Sequence, residues 1–127
     1  MGVGRGIFFG VSVGPGDPEL LTRKACRVLE ACPVIGAAQT ARGEQLALSI
    51  ARRAVDLTGK EILSLPFSMA RDLAVRQAAW RRAAAMVRQV LDRGQDVAMV
   101  VLGDVSIYST YCYLMELLRE EGYETEM

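Results

Sequence analysis

The chain has 127 residues, a length typical of one globular domain that buries its own hydrophobic core. Hydrophobic residues make up 51% of it and charged residues 24%, a composition that disfavours intrinsic disorder. The 15 cationic and 15 anionic side chains cancel, so the net charge gives no indication of a nucleic-acid surface. Histidine is absent, which excludes histidine general bases and histidine metal ligands.

The hydrophobic pattern predicts five strands that alternate with four helices. Asp17 and Pro18 fit the N-cap and the first position of the first helix. In the third helix, one apolar stripe from Leu73 to Leu91 includes Trp80 and is predicted to face the core. The strands are expected at 7–13, 34–35, 61–65, 96–102 and from 122 onward, and the helices at 19–31, 43–55, 71–93 and 107–121.

This βαβ alternation favours an α/β fold with a mainly parallel sheet of about five strands flanked by helices. The chain stops inside its last strand-like segment, which we interpret as a truncated chain rather than a natural short form.

Three cysteines, Cys26, Cys32 and Cys112, lack C-x-x-C spacing, and for the first two we expect buried, reduced thiols. No apolar run reaches the ~18 residues of a membrane span, and the N-terminus makes a poor signal peptide. We therefore expect a cytoplasmic protein that binds neither a membrane nor nucleic acid, and no metal site.

Two glycine-bearing loops each follow an apolar run, the first over 10–22 and the second over 102–110. In an open parallel sheet, ligands bind outside the carboxyl ends of the strands, where glycine lets the backbone approach them closely. The two loops together predict a single small-molecule crevice built from both ends of the chain.

The first loop is poorly suited to binding a phosphate group. It has neither G-x-G-x-x-G nor Gly-Lys-Ser/Thr, and Pro15 removes one backbone N–H. In the second loop, Asp104 can accept hydrogen bonds from an amine or a ribose hydroxyl, or it can cap the following helix. Tyr108, Tyr111 and Tyr113 fit either a pocket lining or an amphipathic helix.

Both loops resemble motifs of a known family. Val13-Gly-Pro-Gly-Asp-Pro-Glu-Leu-Leu-Thr22 resembles the N-terminal signature of the tetrapyrrole (corrin/porphyrin) methyltransferases, and Leu102-Gly-Asp-Val-Ser-Ile-Tyr108 resembles their second motif, usually Gly-Asp-Pro. The segments 66–69 and 106–111 most resemble the precorrin-2/cobalt-factor-II C20-methyltransferases of cobalamin synthesis. Val105 replaces the usual proline of the second motif, and Ser68 replaces a proline common in this subtype.

The resemblance implies a homodimeric two-domain enzyme that methylates a tetrapyrrole with S-adenosylmethionine (SAM), releasing S-adenosylhomocysteine. Residues 1–127 would form its N-terminal α/β domain, and the C-terminal domain would be absent from this chain. The implied cofactor-binding residues are Pro15, Leu102, Gly103, Asp104 and Ile107, and the implied substrate-binding residues are Gly14, Tyr108, Ser109 and Thr110. No catalytic residue is assigned. A polycarboxylate substrate favours arginine clamps, for which Arg42 is one candidate.

Two alternatives remain open at this point. The half-length chain and Val105 are also compatible with a non-catalytic α/β interaction module. A different tetrapyrrole methylase, such as a uroporphyrinogen or diphthine-type enzyme, is the closer rival. The sequence does not decide whether the substrate carries cobalt.

Overall fold

A computed structural model describes residues 5–13, 21–38, 43–68, 71–101 and 105–126, and within these ranges it describes the backbone but not the side chains of 43–46 and 105–110. In chain order the elements are β1 (Ile7–Ser12), α1 (Arg23–Ala31), β2 (Val34–Ala38), α2 (Gly43–Ala54), β3 (Glu61–Leu65), α3 (Leu73–Asp92), β4 (Val97–Val101), α4 (Val105–Glu120) and β5 (Glu124–Glu126).

The strands form one parallel sheet in the order β3-β2-β4-β1-β5. This confirms the predicted α/β fold with five parallel strands. β4 is buried at all five positions, as expected for a strand covered on both faces.

Helices cover the sheet on both sides, and each side has its own apolar core. We call the side covered by α1 and α2 face 1, and the side covered by α3 and α4 face 2. On face 1 the strands contribute Val11, Val13, Ile35, Ala37, Ala98 and Val100, which pack with Leu29 of α1 and the buried side of α2. On face 2 they contribute Phe8, Val34, Leu65, Val97, Met99 and Val101, which pack with α3 and α4.

The first helix begins later than its sequence predicted. Its N-cap is Thr22, whose hydroxyl accepts a hydrogen bond from Ala25 N at 3.0 Å. Leu21 and Thr22 are not helical, so the predicted start at Glu19 was wrong. Asp17 and Pro18 lie outside the described residues.

The third helix also departs from its pattern at one end. Leu73, predicted to face the core, is its first residue and is 50% exposed. Trp80 is half-buried and packs against the face 2 core, as predicted. Gly94, with φ +80°, follows this helix in the left-handed conformation that ends many helices.

Two hydrogen bonds hold the amino end of β1, one to the side chain of the residue before β4 and one to a backbone carbonyl of α3. Ile7 N donates to Asp96 Oδ1 at 2.8 Å, and Gly6 N donates to Leu91 O at 2.9 Å. A Cβ at Gly6 would lie 1.9 Å from Gln95 O, so only glycine allows this approach.

All three cysteines are free, which agrees with the reduced thiols predicted for Cys26 and Cys32. Cys32 is buried, which raises the pKa of its thiol to about 12. Cys26 is half-buried rather than buried. In the described part of the chain, no helix is long and apolar enough to cross a membrane.

The packing of α4 on the sheet predicts the cost of truncating its central leucine. Leu114 is 0% exposed in the face 2 core, so Leu114→Ala is expected to lower the free energy of unfolding by about 2–5 kcal/mol. Leu73→Ala, at the exposed end of α3, serves as the matched control and should change it by less than about 0.5 kcal/mol. Urea denaturation followed by circular dichroism measures both. Equal losses would contradict this assignment of the core.

Candidate functional site

The strand order places a switch point between β1 and β4. These strands are neighbours in the sheet, yet the chain leaves β1 for α1 on face 1 and leaves β4 for α4 on face 2. Because the two connections diverge to opposite faces, the topology predicts a ligand crevice outside the carboxyl ends of the two strands. We call this space the β1–β4 crevice.

Both strands end at the same level beside this crevice. Ser12 pairs with Val101 in the parallel register, and Val13 N donates to Val101 O at 2.8 Å, which extends the ladder one residue beyond β1. Val13 is 0% and Val101 6% exposed, so both strand ends are anchored in the cores. The starts of the two predicted ligand loops are therefore adjacent, although 88 positions separate Val13 from Val101 in the chain.

The predicted site residues lie in or next to these two loops. Gly14, Pro15, Leu102, Gly103 and Asp104 lie outside the described residues, as does Arg42. Four more belong to the first turns of α4, where the structure describes only the backbone: Ile107, Tyr108, Ser109 and Thr110. The structure thus brings the bases of both loops together, and the roles of these residues stay predictions.

Asp104 directly precedes the first residue of α4, Val105. The helix starts two positions earlier than the predicted start at Ile107. The place of Asp104 in the sequence allows both the capping and the ligand-binding interpretations, which stay open.

Gly10 does not belong to the first loop. The sequence placed it there as a glycine for ligand approach, but it lies inside β1, and its absent Cβ faces the ring of Tyr111 on α4. A Cβ at Gly10 would be 2.7–2.9 Å from three carbons of that ring. This glycine accommodates a helix rather than a ligand.

Tyr111 is a core residue of face 2 and is 1% exposed. Its hydroxyl lies 3.1 Å from Phe8 O and 2.5 Å from Glu126 O and can donate to either carbonyl. Its ring packs against that of Phe8 with centroids 4.8 Å apart. This decides one alternative: Tyr111 belongs to the buried side of an amphipathic helix and links α4 to β1 and β5.

Tyr113, the other tyrosine of α4 whose side chain is described, lies on the opposite side of the helix. It is 43% exposed and stacks on Trp80 of α3, with centroids 4.0 Å apart and ring planes 17° apart. Both rings line a groove of about 270 Å³ between α3 and α4. Residues of β1 and β4 do not line this groove, so it is separate from the β1–β4 crevice.

Ser12 is a polar residue at the crevice that the sequence analysis did not single out. It is the last residue of β1 and is exposed. Since Phe8 faces face 2, strand alternation places Ser12 on that face too, the side to which β4 connects. Alternation along β1 would have identified it.

Among the described side chains, no cluster of three or more cysteines, aspartates and glutamates is placed to hold a metal ion. The polar groups that the structure describes at the mouth of the crevice are backbone amides, carbonyls and the Ser12 hydroxyl.

Comparison with known proteins extends over nearly the whole chain. Residues 8–127 match the family model of Tetrapyrrole (Corrin/Porphyrin) Methylases. A probable cobalt-precorrin-2 C(20)-methyltransferase of Methanocaldococcus jannaschii is 37% identical over 120 residues, which cover 94% of this chain and 50% of the relative. The cobalt-precorrin-2 C(20)-methyltransferase of Salmonella typhimurium is 34% identical over 114 residues, covering 87% and 47%.

Solved structures show the same fold. The cobalt precorrin-4 methyltransferase CbiF superposes with a TM-score of 0.59 at 26% identity, over 94% of this chain and 44% of that one. A uroporphyrin-III-C-methyltransferase of Thermus thermophilus gives a TM-score of 0.62 at 24% identity, over 96% and 46%. The chain spans about half the length of the curated relatives that it matches.

The hydroxyl of Tyr111 predicts a stability difference between two tyrosines of one helix. Tyr111→Phe keeps the buried ring but removes the donor to the Phe8 and Glu126 carbonyls, so it should lower the free energy of unfolding by about 0.5–1.5 kcal/mol. Tyr113→Phe is the control, because that hydroxyl belongs to an exposed side chain. Denaturant titration measures both variants, and equal effects would contradict the assigned hydrogen bonds.

The same hydroxyl predicts a pH dependence. Burial raises the pKa of Tyr111 above its ordinary value of about 10. The unfolded chain therefore loses this proton first, and the stabilisation is complete below about pH 10 and decreases as the pH rises further. The stability difference between wild type and Tyr111→Phe should be constant from pH 7 to 9 and shrink above pH 10. A difference that grows with pH would contradict this.

Proposed function

Because the chain belongs to the tetrapyrrole (corrin/porphyrin) methylase family, we propose that it forms the N-terminal α/β domain of a two-domain, SAM-dependent C-methyltransferase. The proposed substrate is precorrin-2 or cobalt-factor II, methylated at C20 in cobalamin biosynthesis. The observation that carries this proposal is the convergence of two family-like loops at one switch point. Their bases, at Val13 and Val101, are joined by a backbone hydrogen bond of 2.8 Å.

The choice of substrate rests on the relatives. The two relatives described above with 34% and 37% identity both bear the name of a cobalt-precorrin-2 C(20)-methyltransferase. The uroporphyrin-III methyltransferase has 24% identity and supports the fold alone. The SIYSTY sequence at 106–111 supports the same choice of subtype. A uroporphyrinogen methylase is therefore the weaker candidate.

The crevice suits the chemistry of methyl transfer. When bound, SAM would supply an electrophilic methyl group for transfer from its sulfonium to a nucleophilic carbon of the macrocycle, with S-adenosylhomocysteine as the leaving group. The protein then has to align donor and acceptor and exclude water, an effect worth up to ~7–11 kcal/mol. Such a task requires no histidine, metal or nucleophilic cysteine. It agrees with a crevice of backbone groups, the Ser12 hydroxyl and glycine-containing loops.

We assign the cofactor to both loops. Pro15 of the first loop and Leu102, Gly103, Asp104 and Ile107 at the second are the proposed contacts for SAM. Gly14 and the run Tyr108, Ser109 and Thr110 are the proposed contacts for the tetrapyrrole. Ser12 joins this set as a hydrogen-bonding group, since it is exposed at the end of β1.

The relatives' length bears on how the site is completed. Since this chain covers about half of each relative, we propose that a second domain following Met127 closes the crevice from the other side. A homodimer and a cytoplasmic location, which the resemblance implies, belong to the same proposal. The non-catalytic module stays the alternative that the experiment below decides.

The proposal predicts a split binding site. Isothermal titration of S-adenosylhomocysteine should give strong binding to a longer protein in which the second domain follows Met127, and weak or no binding to the 127-residue chain alone. Binding by neither protein would contradict the methyltransferase and favour the non-catalytic module.

One substitution tests the assigned loop. In the longer protein, Asp104→Ala should raise the Kd for S-adenosylhomocysteine at least tenfold, because it removes a hydrogen-bond acceptor from the crevice. Asp56→Ala is the control, since Asp56 is exposed and lies between α2 and the amino end of the edge strand β3, away from the carboxyl ends of β1 and β4. An unchanged Kd and turnover for Asp104→Ala would refute the assignment of this residue.

A further inference from the structure

The contact between Gly10 and Tyr111 is closer than any other residue type at position 10 allows. Any side chain there would begin with a Cβ 2.7–2.9 Å from the Tyr111 ring, below the distance that carbon atoms tolerate without displacement. Gly10 has no positive φ, so conformational freedom does not explain this glycine. Glycine is needed at position 10 because the Tyr111 ring leaves no space for a side chain.

The ring of Tyr111 cannot easily yield to such a side chain. It is 1% exposed, lies against the Phe8 ring and carries a hydroxyl held by the carbonyls of Phe8 and Glu126. Relief would require a shift of the whole α4 helix away from β1. The contact therefore fixes the spacing between this helix and this strand.

The spacing between α4 and β1 matters because each of these elements adjoins one of the two loops. Gly10 lies two residues before the end of β1, where the first loop begins, and Tyr111 lies six residues after Val105, where the second loop ends. The contact thus joins the strand that presents one loop to the helix that receives the other.

We propose that Gly10 and Tyr111 are a positioning pair that sets the width of the β1–β4 crevice and thereby its affinity for the adenosyl ligand. The statement about affinity rests on the proposed function. The statement about width concerns the free protein and can be tested without a ligand.

A second glycine provides a matched control. Gly36 also lies in a buried parallel strand, β2, and the one close neighbour of a Cβ there would be the end of the Leu65 side chain, at 3.3 Å, with Val97 Cγ1 and Leu63 O at the ordinary contact distances of 3.6 and 3.9 Å. A flexible methyl group can move by a few tenths of an ångström, whereas the Tyr111 ring is held on several sides. Gly36→Ala therefore adds the same methyl group to the sheet without moving α4.

The ligand-free test records backbone amide chemical shifts of Gly10→Ala, Gly36→Ala, Tyr111→Leu and the double variant Gly10→Ala/Tyr111→Leu. We expect Gly10→Ala to shift the amides of Val13 and Val105, on both sides of the crevice, and Gly36→Ala to leave them unchanged. The double variant should return both amides toward their wild-type positions, because the new methyl group then fills the space of the lost ring. Unchanged amides in Gly10→Ala, or no return in the double variant, would overturn the proposal.

The affinity test titrates S-adenosylhomocysteine into the same variants of the longer protein, at a temperature at which all of them are folded. Each single variant, Gly10→Ala and Tyr111→Leu, should raise the Kd at least tenfold, and the double variant should bind more tightly than either. If the pair were purely structural, the variants would be less stable but the double variant would bind no more tightly than the single variants. That result would overturn the proposal.

The experiments still give a decision if one variant does not fold or if the ligand does not bind. If Gly10→Ala does not fold, the comparison of Tyr111→Leu with the double variant still decides, because only a positioning pair predicts tighter binding after the added methyl group. If the ligand binds no protein, the proposed function fails, and the amide shifts alone decide the claim about width.

Discussion

The pairing of β1 with β4 is the constraint on which the rest of this structure depends. These strands lie about 90 positions apart in the chain, and their parallel register is held at both ends, by Ile7 N on Asp96 Oδ1 and by Val13 N on Val101 O. The connection that leaves β1 runs to face 1 and the connection that leaves β4 runs to face 2, so the two diverge from a pair of neighbouring strands. The crevice, the adjacency of the two loops and the contact of α4 with β1 all follow from this single pairing.

The proposed chemistry agrees with such a scaffold. Methyl transfer from a sulfonium depends on alignment and on exclusion of water, and both are set by the relative positions of loops and helices. A parallel sheet buried on both faces gives these loops rigid bases, since Val13 and Val101 are anchored in separate cores. Membership of the methylase family and the half-length match to its relatives support the proposal that this domain supplies one wall of a shared site.

Periodicity and turn residues predicted the order of the elements, and β3 at Glu61–Leu65 to the residue, because its ends are marked by Gly59 and Pro66. The start of α1 was missed because Asp17-Pro18 and Thr22 both resemble N-caps, and the sequence does not rank them. The role of Gly10 was also missed, because a glycine required by a helix residue 101 positions away leaves no local signal. The loop motifs indicated the crevice, whereas the contacts of each side chain within it depend on a bound ligand.

The claim that both loops form one site is tested most directly by titrating S-adenosylhomocysteine into the longer protein and recording which backbone amides change their chemical shift. The account predicts that amides at the end of β1 and at the start of α4 respond together, with one common Kd. A response confined to one loop, or two different dissociation constants, would contradict a single crevice between β1 and β4.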